Sequence, residues 1–306
     1  MRFIFFIIIL FSNSILSQAD LVNAKKPADF EKKSENEVEA LKYTDLEEND
    51  ILWSKVVYEH IDLNEKLNFP LLFPIEDGQT KIGRKSLWTI IKEYIQNTNE
   101  EELQLFQTDN FSSKERYDKA TALGLISYIK DSPARVKLLQ QQENLSEEEA
   151  KAKAQQKLFV SSAEVGAYKI KGIWFFDKKA SQLKYKLLGI LPLTAATADL
   201  EKDNREKLES ETFWIWYPSI REELNKHLVF NDRNNNNRIS FDALLVNRRF
   251  NSYIYKYDNV YGDRKIREYI KPRNGESPRQ YQLRLIMESE RIKKEILDFE
   301  VDMWGY

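Results

Sequence analysis

Apolar positions along this chain change their spacing several times, and each change marks a new element. From Asp50 onward, Trp53, Val57 and Ile61 recur at every fourth residue, with Leu52 and Val56 beside them, which predicts a helix. Pro70 and Pro74 then bound Leu71-Leu72-Phe73, read as an extended segment. After Ser86 a second helix is expected, burying Leu87, Ile91, Tyr94 and Ile95. The stretch from Gln140 to Lys157 is polar on every side. Its Ser146 and Glu149 form a capping box, so residues 140–157 read as an exposed helical excursion.

Beyond it the period drops to two. Tyr168, Ile170, Trp174 and Phe176 alternate with Lys169, Lys171, Ile173 and Phe175, and after Asp177–Gln182 a second run sets Leu183, Tyr185, Leu187 and Leu191 against Lys184, Lys186, Leu188 and Ile190. Two such runs joined by a polar turn predict a long antiparallel hairpin over about 167–192. Another strand, 212–217, carries Phe213 to Tyr217 in succession. Pro218 and a Ser219/Glu222 capping box then start a helix running towards Leu228. The last helix begins at Ser277-Pro278, with Tyr281, Leu285, Ile292, Ile296, Phe299 and Met303 as its stripe. The fold class is α+β: a central antiparallel sheet flanked by helices before and after.

The N-terminus has a different character. Arg2 is followed by nine apolar residues, Phe3–Phe11, and then by small polar ones, the order of a secretory signal peptide. The run is shorter than the roughly 20 residues a membrane span needs. Cleavage is expected before Gln18 or Asp20, so residues 1–19 read as a removed signal, 20–48 as a charged flexible linker and 49–306 as one folded domain.

Charge then narrows the partners. Lysine and arginine total 47 against 49 acidic residues, so no net field draws in nucleic acid or an anionic membrane. With no cysteine, the fold rests on its core without disulfides, and a lipid anchor at the cleavage point is excluded.

Candidate chemistry is sparse. The two histidines, His60 and His227, stand far apart with no metal-ligand neighbour at helical spacing. Asp232 to Ser240 spaces Asp232, Asn234, Asn236 and Ile239 as a calcium loop would, yet has Asn237 in place of glycine and Ala243 in place of the bidentate glutamate. It reads as an asparagine-rich turn. Phosphate-loop, nucleophile-elbow and dinucleotide motifs are all lacking, and carboxylate pairs such as Glu222/Glu223 are too common here to signal a glycosidase. Neither catalytic residues, nor a metal, nor a cofactor are expected. The alternatives left open are a secreted carboxylate-dependent hydrolase and a calcium-dependent binding module.

Four segments carry a resemblance: ILWSKVVYEHIDLNEKLNFPLLFP (51–74), AYKIKGIWFFD (167–177), FWIWYPSIREEL (213–224) and NNNNRISFDALLVNRRFNSYIYKYDNVYGDRKIREYI (234–270). In content and order they resemble the gliding motility family GldN, also called PorN, over about residues 48–300. The resemblance implies a periplasmic component of the type IX secretion system of Bacteroidota. It implies a ring formed with the lipoprotein GldK (PorK) beneath the outer membrane, near the GldL and GldM motor components. It carries over no catalytic residue.

A ring subunit must show different surfaces to its neighbours. Trp214 and Trp216 point one way from their strand while Phe213, Ile215 and Tyr217 point the other, so both faces need cover, one of which a partner can supply. Arg248, Arg249, Tyr253 and Tyr255 form a second candidate patch of the tyrosine–arginine kind found at binding hot spots. Charge reversal at Arg248 and Arg249 is expected to leave the monomer folded while weakening its assembly.

Overall fold

A computed structural model describes residues 50–75, 84–143, 146, 149, 153–202, 208–229 and 239–304. The expected signal peptide and linker, and the turn at Asp232–Arg238, lie outside the described residues. The hairpin organises the rest. Strands β5 (Val165–Asp177) and β6 (Gln182–Thr194) pair antiparallel from Val165/Thr194 to Asp177/Gln182. Their turn is closed by Asp177, whose Oδ1 accepts the N–H groups of Lys179 (2.9 Å) and Ala180 (3.1 Å) while Oδ2 meets Lys184 at 2.7 Å.

The segment expected as the first helix is a strand. β1 (Ile51–Asp62) runs antiparallel to β5 along almost its whole length. Residues 53, 57 and 61 are separated by even numbers and so share a strand face as well as a helix stripe. The β-branched Ile51, Val56, Val57 and Ile61 favour the strand. β1 also pairs with edge strand β9 (Tyr253–Tyr257). On the other side of the hairpin lie β8 (Trp214–Trp216) and the two-residue β2 (Leu105–Phe106). The sheet order is β2-β8-β6-β5-β1-β9, with β7 (Ser210–Glu211) also on β6. The strand expected over 212–217 is thus confined to its three central residues.

Three further expectations need correction. Of residues 71–73 only Phe73 is extended: Phe69–Leu72 is a short helix, α1, because Pro70 in its first turn lacks only an N–H that a helix start leaves unused. Helix α6 (Tyr217–Lys226) starts before Ser219, whose hydroxyl donates to the Trp216 carbonyl instead of capping with Glu222. Residues 140–157 are helical only in part, at 140–143, 149 and 153–154 among those described. Helix α4 (Pro133–Glu143) enters the region, Ser146 and Glu149 bond reciprocally, and Gln155–Phe159 is strand β4 paired with β3 (Ser127–Asp131). Backbone pairing, not burial, sets that strand.

One face of the large sheet is covered by helices in two separate clusters. Towards Ile61, Tyr168, Ile170 and Ile190 it meets helix α2 (Leu87–Asn97), helix α6 and helix α7 (Phe241–Val246), with Trp88, Phe213, Ile215, Tyr217 and Phe241 deeply buried. The helix expected after Ser86 is α2, and Ser86 caps it, accepting the Thr89 N–H at 3.1 Å. The smaller helices α3 (Lys119–Leu125) and α5 (Thr197–Glu201) border this cluster. Towards Val57, Ile254 and Tyr257 the cover is the long last helix, α9 (Pro278–Trp304), through Ile292 and Ile296, together with Ile266 of helix α8 (Ile266–Tyr269). The stripe expected on α9 is the one it buries, and Ser277 caps it, exchanging bonds with Gln280 (2.9 and 3.3 Å).

Candidate interaction surface

Alternation along five strands builds the opposite face of the sheet. It receives Trp214 and Trp216 from β8, Leu191 and Leu193 from β6, Ala167, Lys169 and Lys171 from β5, Val56, Tyr58 and His60 from β1, and Tyr253, Tyr255 and Lys256 from β9. The loop that carries Phe111 covers its centre. Phe111, held at a φ of 53°, lays its ring edge-on to Phe106 (5.5 Å) and Trp216 (4.8 Å). Gly189 makes room for it, since a Cβ there would lie 2.4 Å from the Phe111 ring.

Two residues earlier, Asp109 gathers the cations. Its backbone carbonyl accepts from Lys171 Nζ at 2.7 Å, and its carboxylate lies 3.3 Å from Lys256 Nζ and 4.0 Å from Lys171 Nζ. Both ammonium groups lie over the Tyr58 ring, Lys256 at 4.3 Å and Lys171 at 5.3 Å, and Lys169 lies over Tyr255 at 5.2 Å while pairing with Glu211. Burial works against the Asp109 charge, yet the Tyr58 hydrogen bond and the two lysines hold its carboxyl below the usual carboxylate range. Burial lowers the Lys171 pKa, with Asp109 opposing. It pushes the Tyr255 phenol far up, so that ring stays neutral. His60 stacks on Tyr253 at 4.9 Å, and burial followed by the Lys169 charge lowers its pKa.

The structure thus brings four of the six expected residues, Trp214, Trp216, Tyr253 and Tyr255, to one face. Trp214 is buried against Phe111, Trp216 and Tyr255 are half-buried, and Tyr253 is exposed at the edge. The two arginines part company. Arg249 is exposed, whereas Arg248, at a φ of 54°, turns to the helix-covered face and pairs there with buried Glu59. Sequence reasoning missed Asp109 and Phe111, which sit in a loop with no periodicity. It noted Lys169 and Lys171 only as alternating positions, and that alternation was the available signal.

Chemically, this face is a set of neutral rings and fixed ammonium groups, two of them around the Asp109 carboxylate and a third paired with Glu211. It can bind by stacking, cation–π contact and charge-assisted hydrogen bonds. A carboxylate hydrolase needs two acids converging on a cleft. Several buried carboxylates instead hold the fold: Glu59 with Arg248, Asp242 with Arg221 (2.8 Å) and the Tyr217 hydroxyl (2.9 Å), Glu276 with Arg284 (3.0 Å) and Glu164 with the Ser161 N–H (2.7 Å). Asp258, whose pKa burial raises, accepts the Val56 N–H at 3.1 Å. Among the described residues no group of His, Cys, Asp and Glu is placed to hold a metal ion, and the asparagine-rich loop is outside them. Nor, among them, is any helix long and apolar enough to cross a membrane.

The family model for the gliding motility associated protein GldN matches residues 46–305. Among curated proteins, none matches the chain.

Proposed function

The chain belongs to the GldN family of gliding motility and type IX secretion components, and from that membership we propose that it is a non-enzymatic structural subunit of the machinery. In this reading it is exported to the periplasm and forms a ring with a GldK (PorK)-like lipoprotein beneath the outer membrane, within reach of the GldL and GldM motor components. The Phe3–Phe11 apolar run behind Arg2 supports export, and the lack of cysteine leaves any lipid anchor to the partner.

The observation that carries the reading is the ring-and-lysine face of the sheet, which uses its polar groups for packing and recognition rather than for an acid–base pair. Its exposed margin at Tyr253, with Arg249 nearby in sequence, is the proposed docking edge for the lipoprotein. The test is recovery of the lipoprotein from native envelopes with Arg249→Glu/Tyr253→Ala compared with the unaltered chain. A loss of roughly tenfold at an unchanged melting temperature is expected. Undiminished recovery would remove this edge, and failure of the unaltered chain to recover any such lipoprotein would end the ring reading.

A further inference from the structure

Helix α9 has two apolar stripes. One, through Leu285, Ile292 and Ile296, packs on the sheet. On the opposite side Leu283 (55% exposed), Ile286 (47%), Met287 (62%), Leu297 (54%) and Val301 (68%) face solvent. Positions 283, 287, 290, 294, 297 and 301 advance in alternate steps of four and three, the seam of a two-helix coiled coil. Its two central places hold Glu290 and Lys294, and both are exposed.

We propose that this stripe pairs with the same stripe of a second copy of the chain, antiparallel and about a two-fold axis. Run in opposite directions, the seam is its own complement. Leu283 meets Val301 of the partner subunit and Met287 meets Leu297 of the partner subunit. Glu290 meets Lys294 of the partner subunit, and the axis repeats each contact. A parallel pair would set Glu290 against its own copy and Lys294 against its own, which is repulsive twice over. A two-fold contact of identical patches closes on itself and yields a dimer.

The flanks accept this arrangement. Arg291, beside the axis, is neutralised within its own helix by Glu288 (2.7 Å) and Glu295 (3.1 Å). Lys293, on the other flank, is held by Glu290 (2.8 Å) and the Ser252 carbonyl (2.6 Å). The same charges, set through the middle of the stripe, make a poor surface for burial in lipid. The inference needs no lipoprotein and stands apart from the ring reading.

Because the chain has no cysteine, crosslinking can test the pairing directly on the full chain. Positions 287 and 297 are roughly 15 Å apart along one helix at about 1.5 Å per residue, too far for a bond within one molecule. Oxidation of the double variant Met287→Cys/Leu297→Cys is expected to give a covalent dimer, while either single variant gives little. Efficient crosslinking by Met287→Cys alone would mean a parallel contact and overturn the proposal. In sedimentation, Glu290→Lys alone should weaken the dimer roughly tenfold or more. Lys294→Glu alone should do the same, and an equal mixture of the two should recover it as a heterodimer. Far-ultraviolet circular dichroism checks that each variant is folded. A chain that stays monomeric at every concentration, or that uses the stripe to bind anionic vesicles or a different protein instead, would overturn the assignment.

Discussion

Arg248 holds Glu59 through two parallel hydrogen bonds, Nη1 to Oε1 at 2.8 Å and Nη2 to Oε2 at 2.7 Å, with its guanidinium 4.3 Å from the centre of the Tyr185 ring. Tyr185 in turn crosses Gly172, where a Cβ would collide with its phenol. Glu59 is 1% exposed and also takes the Ser252 hydroxyl. This stack lies on the helix-covered face of the sheet, beside the residues of β1 that lead to each of its two apolar clusters, and it fastens the turn before β9 to the middle of β1.

Arg248→Glu is therefore expected to destabilise the monomer, by about 3–5 kcal/mol, because it leaves Glu59 buried against a like charge. Arg249→Glu should stay within about 0.5 kcal/mol of the unaltered chain. Urea denaturation separates them. Equal stabilities would mean that the Glu59 carboxylate has found another partner. The joint charge reversal expected from sequence to leave the monomer folded while weakening its assembly is thus two different experiments.

Stability should fall below neutral pH through the two histidines. Burial, then Lys169, lowers the His60 pKa, and burial, then Lys85, lowers that of His227 against the opposing pull of Glu223. For such groups the unfolded chain binds more protons. Their contribution is fully present above the unfolded value of 6.5 and is lost as pH falls through the lowered folded values. His60→Phe keeps a ring against Tyr253 and should flatten part of the decline in melting temperature between neutral and mildly acid pH. An unaltered slope would assign the decline to other groups.

Phe111→Ala should cost about 2 kcal/mol, less than a fully buried phenylalanine because this ring is half-buried. It should also red-shift tryptophan emission as Trp214 and Trp216 gain water. Gly189→Ala is expected to give the same spectral change without touching an aromatic residue, since its new methyl would occupy the place of the Phe111 ring. A spectrum that moves in one variant only would separate the ring from the loop that carries it.

Chelators and reductants should leave the melting temperature unchanged. The chain has no cysteine, and its one calcium-like spacing lacks the glutamate that would close an ion site. A fall of several degrees in a chelator, reversed by calcium, would make the Asp232 loop a binding site.

The parts legible in the sequence are those whose partners are near in the chain. The β5–β6 hairpin announces itself by thirteen-residue alternation on each side of a polar turn. Helices α2 and α9 carry their own caps. β1 misled because Trp53, Val57 and Ile61 satisfy two periods at once, and because its strand partners, β5 and β9, lie a hundred and more residues downstream. The site shows the same division. Tyr253, Tyr255, Trp214 and Trp216 were recognisable by type, but their meeting on one face depends on the strand order. Adjacent letters hid the difference between Arg248 and Arg249, which a left-handed backbone turn at Arg248 creates.

The last helix also governs how the sheet ends. Ile254, in edge strand β9, gives its N–H to Ser289 Oγ at 2.7 Å, and Leu183, on the part of β6 that β8 does not reach, gives its N–H to Glu300 Oε1 at 3.1 Å. An edge strand and one strand of the hairpin itself are thereby denied donors that an incoming strand would need. Copies of this protein cannot readily extend the sheet from molecule to molecule at those points. A contact made at those points is built by fitting side chains against side chains, and an array made that way keeps its subunits exchangeable where a shared sheet would weld them.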